Sequence, residues 1–345
     1  MIQPVTAFPS DEGLMLSEVL INDTLVSGHR LEVYFIDNYS VSLSGHRFIL
    51  SAGTRFSYWS FSGELLFSPR LSLSWDLPSG NAGYYLAGGV YYQPPFYKEM
   101  KFPSGQVNSD IRSQKSIHTV LGTNIDFLLG ITPFRLSGEV YYKKLENIIP
   151  YKYDNVRIIY SGENSAEGFV RGLDLRLNGE FVKDAESWIS VSLMDARHDI
   201  LNDEHGYFPS PSDTRFSVNI FFQDYFPSNP FYRAHINIHY STGIPVSSPY
   251  NNRYDSYRRM PDYRRVDIGF TRVFKNENTA REGTFISAFD RIIAGFEIFN
   301  LLDIRNTISY NWLATVNNMS GESRQFAVPN YLTGRSFNIK LCCEF

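Results

Sequence analysis

Apolar residues recur at every second position along most of this chain, and that period constrains the fold more than any other feature. In "GLDLRLNGEF", Leu173, Leu175, Leu177 and Phe181 share one side of an extended backbone, and Asp174, Arg176, Asn178 and Glu180 share the other. In "IHTVLGTNIDFLLGI", Ile117, Leu121, Ile125, Phe127, Leu129 and Ile131 fall together with Thr119 and Thr123, opposite His118, Asn124 and Asp126. "RAHINIHYS" sets Ala234, Ile236, Ile238 and Tyr240 against His235, Asn237, His239 and Ser241. Side chains alternate between the faces of a strand, whereas an amphipathic helix needs apolar spacings of three and four. The alternation persists to the last residue, in "SFNIKLCCEF", where Phe337, Ile339, Leu341, Cys343 and Phe345 share a side. Chain ends usually bury little and fray, so order at this end needs a reason.

The pattern predicts strands near 30–43, 46–59, 63–77, 83–93, 113–130, 133–147, 165–182, 186–200, 212–225, 229–242, 262–274, 285–301 and 333–345, with a further candidate before 28. Many exceed the roughly 5–6 residues usual in soluble sheets and reach the roughly 9–11 that a tilted strand needs to cross a bilayer. Short links ("SG" at 44–45, "ITP" at 131–133, "KDAE" at 183–186, "PSNP" at 227–230) tend to alternate with long ones near 94–112, 148–164, 201–211, 243–261 and 302–332; the link at 60–62 is a short exception. A closed sheet with one trimmed end and one elaborate end matches that alternation. A soluble sandwich also alternates. Some thirteen long strands, with charges on the polar face and aromatics near strand ends, favour the all-β reading of an antiparallel transmembrane β-barrel. Lipid offers the backbone no hydrogen bonds, so a sheet within it must close.

Composition narrows the alternatives. The chain has 345 residues, 43% of them hydrophobic, and its 36 acidic against 32 basic side chains give a net charge of −4, which carries no footprint for DNA or RNA. No run approaches the roughly 18 apolar residues of a membrane helix, as is normal for barrel strands, which hide apolar residues at alternate positions. The beginning, "MIQPVTAFPSDEGLMLSEVL", lacks the basic, apolar and small-residue segments of a signal peptide. Alone, that points to the cytoplasm; a mature chain, or a fragment whose beginning is missing, is the other reading. Cys342 and Cys343 are strand neighbours on opposite faces and should not bridge. No Cys/His spacing suggests a metal, and no cofactor motif appears. His235 and His239 would lie about 13 Å apart on a strand, too far to share one ion. No nucleophile elbow or phosphate loop is present, and no catalytic residue is assigned; His118, on a polar face, has no sequence-encoded partner.

With these strands in place, the sequence resembles the C-terminal barrel region of TonB-dependent outer-membrane receptors. "HRLEVYFIDNYSVSL" followed by "FILSAGTRFSYWSF" is similar to that family's paired strands around a Tyr-x-x-Asp and a Gly-x-Arg element. "FSPRLSLSWDL…AGGVYYQPP" resembles its Pro-Arg strand and the glycine-rich strand after it. "SQKSIHTVLGTNIDF", "AEGFVRGLDLRL", "PDYRRVDIGFTRVF" and "FEIFNLLDIRNTISY" resemble later strands, and "NYLTGRSFNIKLCCEF" the last. The resemblance implies a cell outer-membrane location and a role, within a complete receptor, in importing a scarce nutrient such as a metal chelate, a glycan or a peptide. It also implies that the final strand, through Phe337, Ile339, Leu341 and Phe345, is read by the barrel-assembly machinery. Family members carry a signal peptide, a TonB-contacting segment and a plug before the barrel, and a barrel of about 22 strands. The expectation is therefore residues 1–29 as an N-terminal segment and 30–345 as the C-terminal part of a larger barrel, some 13–14 strands, with plug and TonB contacts only through a missing N-terminal part. A structural or adhesive barrel without active transport is the alternative; an outer-membrane hydrolase is a third.

Candidate ligand contacts lie in the long connections. "YYQPPFYKEMKF" presents Tyr91, Tyr92, Phe96 and Tyr97 around Pro94–Pro95, and "YNNRYDSYRRMPDYRR" presents Arg253, Tyr254, Tyr257, Arg258 and Arg259. Aromatic faces stack, and guanidinium forks match carboxylate, phosphate or chelate oxygens. The competing reading places these tyrosines in an interfacial belt and the arginines on lipopolysaccharide phosphates, beside outer-membrane lipid.

The alternation assigns Leu175 to lipid and Asn178 to the lumen. Leu175→Arg should cost about 2–4 kcal/mol and Asn178→Arg little. Spin labels scanned along 172–181 should show oxygen accessibility at odd positions; a helical period, or uniform access to water, would refute the assignment.

Overall fold

In a computed structural model, residues 2–3, 19–20, 24–154, 157–182, 185–226, 229–249, 257–275, 289–316 and 323–344 are described. Thirteen strands form one antiparallel path in sequence order. They are β1 Arg30–Leu43, β2 His46–Trp59, β3 Glu64–Asp76, β4 Ala82–Gln93, β5 Gln114–Leu129, β6 Thr132–Ile148, β7 Ala166–Val182, β8 Ala185–Ile200, β9 Phe216–Phe226, β10 Asn229–Ser241, β11 Tyr263–Lys275, β12 Arg291–Phe299 and β13 Ser336–Glu344. Among the described residues there is no helix. The longest strands, β6 and β7, have 17 residues each.

Register turns the sequence alternation into two continuous faces. Directly opposed residues join across strands into rows such as Leu121–Val140–Leu173–Leu193–Phe216. A second row runs Ile125–Leu136–Leu177–Ile189–Ile220–Ile238–Val266, and Phe270–Phe296–Ile339 continues the face to the last strand. Leu121, Val140 and Ile339 on this face are exposed. A wall-wide apolar surface is far beyond what a soluble monomer tolerates; its solvent is lipid. Towards the trimmed end, His46, Phe48, Trp75 and Tyr84 form a ring cluster with centroids 5.5–6.4 Å apart, as an interfacial girdle requires.

The other face is polar and cross-linked. Arg135 forks onto Asp126 at 2.6 and 2.8 Å, Ser137 donates to Asn124 at 2.7 Å, and Asn338 donates to Glu297 at 2.8 Å. Tyr85, Gly122 and Glu139 are opposed on three adjacent strands. The Tyr85 ring lies across Gly122, and its hydroxyl donates to Glu139. His235 and His239 both face inward but serve different rows: His239 bonds to Asn219, and His235 approaches Glu297 at 3.9 Å.

Two trimmed turns follow directly from composition. Ser44 and Gly45 both have positive φ, the geometry of a two-residue type I′ hairpin, and Gly130 alone does so in the next such turn, Gly130–Ile131. Among the described residues, register irregularities in the wall fall between Ala166/Gly168, Glu180/Val182, Tyr225/Phe226 and Val273/Lys275, all close to strand ends.

Most expected strands match within a few residues, and the exceptions have causes. The strand expected at 212–225 begins at Phe216, because Asp213 and Arg215 are drawn off to cap β8: Ala196 N donates to Asp213 Oδ1 at 2.8 Å and Met194 N to Arg215 O at 3.1 Å. The last strand begins at Ser336 rather than 333, since Arg335 N donates to Asp303 and Leu332 N to Asn306 O. The strand expected over 285–301 is Arg291–Phe299, and residues 276–288 lie outside the described ones. The connection expected at 302–332 contains a two-stranded ribbon, Thr307–Val316 with Ser323–Tyr331. Among the described residues, the strand candidate before 28 is represented by Val19–Leu20 paired with Ile2–Gln3.

The path is open. β1 and β13 are its edges and do not pair with each other.

Gly122→Val should displace the Tyr85 ring and break its bond to Glu139. In a receptor containing this wall, the loss should be about 1–3 kcal/mol, read as a lower temperature for loss of the compact band in unboiled gel samples. An unchanged temperature would show that the ring–glycine contact contributes nothing.

Candidate functional site: inner wall and external loops

The connections at 60–63, 94–113, 149–165, 201–215, 242–262 and 300–335 all leave the same end of the wall. Above β2–β6 they build a small core. Trp59, Met100, Ile111 and Ile149 are buried together, with Val26, Phe61, Val107 and Tyr160 packed against them. Polar brackets fix the backbone around this core. Glu64 accepts from Ser113 N at 2.9 Å, Ser113 Oγ at 2.8 Å and Ser62 Oγ at 2.9 Å. Asn164 accepts from Arg112 N at 2.7 Å and donates to Arg112 O and Asn147 O at 3.0 and 2.8 Å. Burial, with Glu99 close by, pushes the Tyr160 phenol above its ordinary pKa.

A second assembly sits over β7–β11. Asp213 is fully buried. Its carboxylate accepts from Ala196 N and from Arg215 Nε at 2.8 Å each, and pairs with Arg259 Nη2. Arg259 Nη1 also donates to Asp213 O at 2.8 Å and Gly243 O at 2.9 Å. Asp195 gathers Arg171 at 2.9 Å, Arg197 at 3.0 Å and Arg215 at 2.9 Å. Two neighbouring connections are thereby locked to each other and to the wall by charge-assisted bonds.

The sequence-predicted contacts separate once they are placed. Tyr91 and Tyr92 belong to the end of β4 rather than to a connection, and as strand neighbours they point to opposite faces. Tyr91 faces inward, its ring tilted 30° against His118 at 4.4 Å with the Arg70 guanidinium 4.5 Å above it. Tyr92 is opposed to Lys115 on the outward side. Phe96 and Tyr97 are 66% and 71% exposed on the external connection. Tyr257 and Arg258 are exposed, whereas Arg259 is consumed by Asp213. Arg253, Tyr254 and Phe345 lie outside the described residues. Sequence reading missed the inward partners of Tyr91, because Arg70 and His118 arrive from β3 and β5. It also missed Asp213, whose surroundings in "PSDTR" look like an ordinary turn.

A lipid-facing apolar wall, a polar lumen and ordered loops at one end define an outer-membrane β-barrel of receptor type. The family model described as TonB dependent receptor-like, beta-barrel, matches residues 9–331. The chain belongs to that family and is a protein of the cell outer membrane. Among solved structures, it is similar to the outer membrane transporter YddB from Escherichia coli at 12% identity and a TM-score of 0.61, covering 91% of this chain and 45% of that one. A ferric enterobactin receptor mutant from Pseudomonas aeruginosa (PfeA), in complex with enterobactin, gives 16% identity and a TM-score of 0.64 over the same shares, 91% and 45%. The siderophore receptor PiuA from Acinetobacter baumannii gives 14% and 0.59, covering 91% and 43%. These likenesses show the fold. The chain spans less than half the length of each of these three structures. Comparison with curated proteins finds no match.

Asp213→Ala would leave the half-buried side chains of Arg215 and Arg259 short of a carboxylate and Ala196 N without its acceptor. Destabilisation of about 1–3 kcal/mol is expected for the loop assembly, with new protease cleavage in 201–215 and 242–262 and an intact wall. Asp213→Asn, which keeps the acceptor for Ala196 N, should be milder. Equal protease resistance in all three proteins would remove the anchoring role.

Proposed function

We propose that this chain supplies part of the wall, and the external loops carried on it, of a receptor that binds a scarce nutrient outside the cell and imports it with energy delivered through TonB. The observation that carries the reading is the asymmetry of the two ends: all the connections at one end but 276–290 are short, whereas all those at the other end but 60–63 are long, and their described residues pack into a buried core and a buried carboxylate assembly above a polar lumen. Neighbours whose names describe a siderophore receptor and a ferric enterobactin receptor support a metal chelate as the nutrient class. Phe96, Tyr97, Tyr257 and Arg258 are the outer contacts, and Tyr91 with Arg70 and His118 forms an inner one. The chelate supplies carboxylate or phenolate oxygens to the guanidinium groups and flat surface to the rings.

The plug and the TonB-contacting segment come from outside residues 24–344. The open edges of β1 and β13 require further strands, because each unpaired backbone group in lipid costs several kcal/mol. Phe337, Ile339 and Leu341 line the outward side of the final edge strand, the side presented to the barrel-assembly machinery. Residues 1–345 alone are not transport-competent.

Expressed alone in an outer-membrane host, residues 1–345 should aggregate or be degraded. Co-expression with a segment supplying the missing strands should restore a heat-modifiable, protease-resistant band. A stable folded band from this chain alone would show that it closes as a smaller barrel or by association, and the larger-receptor reading would fall.

A further inference from the structure

The edge strand β1 places a charge in the middle of its lipid-facing side. That side is fixed by the apolar row Tyr39–Leu50–Leu73–Leu86–Leu121, which runs outward across β1–β5. Asp37, two residues from Tyr39, has the same parity and is exposed. Leu31, Val33 and Phe35 stand on its loop side and Val41 and Leu43 beyond Tyr39 on its trimmed side, all of them exposed. About 20 Å of strand separates Asp37 from Leu31 and from Leu43. Its carboxylate therefore stands near the centre of an apolar band about 25 Å tall.

Among the described residues, nothing on this face answers that charge. Directly opposite Asp37 on β2 is Ala52, with Leu50 and Thr54 on the diagonals. The row continues through Leu71, Gly88 and Thr119. The arginines of β2 and β3 have the lumen parity: Arg47 is opposed to Asp76, Arg70 to Gly53, and Arg55 meets Glu32 at 3.7 Å. A second unmatched polar group lies beside the carboxylate, because Thr54 Oγ1 is buried and has no hydrogen-bond partner. Asp37 and Thr54 both line a groove of about 930 Å³, kept shallow-walled by Ala52, Pro69 and Gly88. A carboxylate facing hydrocarbon without a counter-ion is costly, and ionisable groups in membrane-spanning segments are accordingly found paired.

We propose that Asp37 is one half of an intramembrane ion pair, completed by an arginine on the outward side of the strand that pairs with the free edge of β1. β2 occupies the other edge and brings no cation, so the free-edge neighbour is the element that can set one at cross-strand distance. Arginine suits the position better than lysine. One guanidinium fork holds the carboxylate and keeps N–H groups for Thr54 Oγ1, while its stem lies in the groove. The occupant is not β13, whose outward residues are Phe337, Ile339, Leu341 and Cys343; Lys340 is opposed to Gly295 on the lumen side. A second copy of this chain would offer the same residues at β13, or another Asp37 at β1. The inference rests on the wall being an arc of a larger barrel and not on the nutrient imported.

The test uses a complete receptor containing this wall. Disulfide trapping of Asn38→Cys, on the lumen side, against a cysteine scan of the strand beside β1 fixes the register and names the outward residue next to Asp37. An arginine is expected there. Asp37→Asn should lower the temperature for loss of the compact band in unboiled gel samples by at least about 4 °C, and Asp37→Glu by less. Arginine to glutamine at the partner position should lower it as much, and the two changes together should cost no more than either alone. Exchanging the two charges, Asp37→Arg with arginine to aspartate, should restore the parent temperature, and it serves where a single variant fails to fold. An apolar or acidic residue at the partner position, an Asp37→Asn protein as stable as its parent, or additive losses in the double variant would each overturn the pair. A folded band from residues 1–345 alone would overturn the larger barrel itself, a result separate from an ineffective Asp37→Asn in the complete receptor, which removes the pair only.

Discussion

Hydrocarbon forms no hydrogen bonds with a peptide group, and every other property of this wall follows from that. A backbone crossing lipid as strands must find all its partners in neighbouring strands. The strands are therefore long, antiparallel and joined in sequence order, and each contributes one face to lipid and one to water. Alternation is the cheapest sequence that meets both demands, because a strand cannot place adjacent side chains on the same side. The same requirement gives the open edges their meaning. β1 and β13 carry rows of N–H and C=O groups that the lipid cannot satisfy, so the thirteen-strand path is an arc of a larger closed surface.

Each face then solves a different problem. The lipid face needs no directional contacts and is filled by Leu, Ile, Val and Phe in rows. The inner face must hold charges at close quarters, and it does so by pairing across strands: Asp126 with Arg135, Glu139 with Tyr85, Glu297 with Asn338. Glycine enters where a ring must lie flat against the sheet, as at Gly122 beneath Tyr85. At the loop end, burial resumes. Trp59, Met100, Ile111 and Ile149 form a core of soluble type, and the Asp195–Asp213 assembly holds its connections by charge.

The wall was legible in the sequence because its signal is local. Leu173, Leu175 and Leu177 declare their face without reference to any other strand, and the resulting strand bounds fail mainly where a loop captures the strand's first residues, as at Asp213 and Arg335. The site was less legible because its partners are distant. Nothing near Tyr91 in "YYQPP" announces that Arg70 and His118 will stand over and beside it, since register, not spacing, brings them there. Arg258 and Arg259 are indistinguishable in "YRRMPD", yet one is exposed and the other is fixed between Asp213 and Gly243. The ribbon at Thr307–Val316 was hidden for a third reason: it pairs with Ser323–Tyr331 outside the wall, so its alternation is not sharpened by two opposed solvents.

The placement of the register irregularities carries a consequence for how such a chain can vary over time. A single inserted or deleted residue within a strand exchanges the two faces for everything beyond it, unless a bulge absorbs the extra residue. Every irregularity among the wall's described residues lies close to a strand end, away from the apolar rows. The part of the gene that encodes the hydrocarbon-crossing rows can therefore gain or lose codons only in pairs of residues, while the codons for the external connections can change one at a time. Length polymorphism in this family should be odd or even in the loops and even-numbered in the wall.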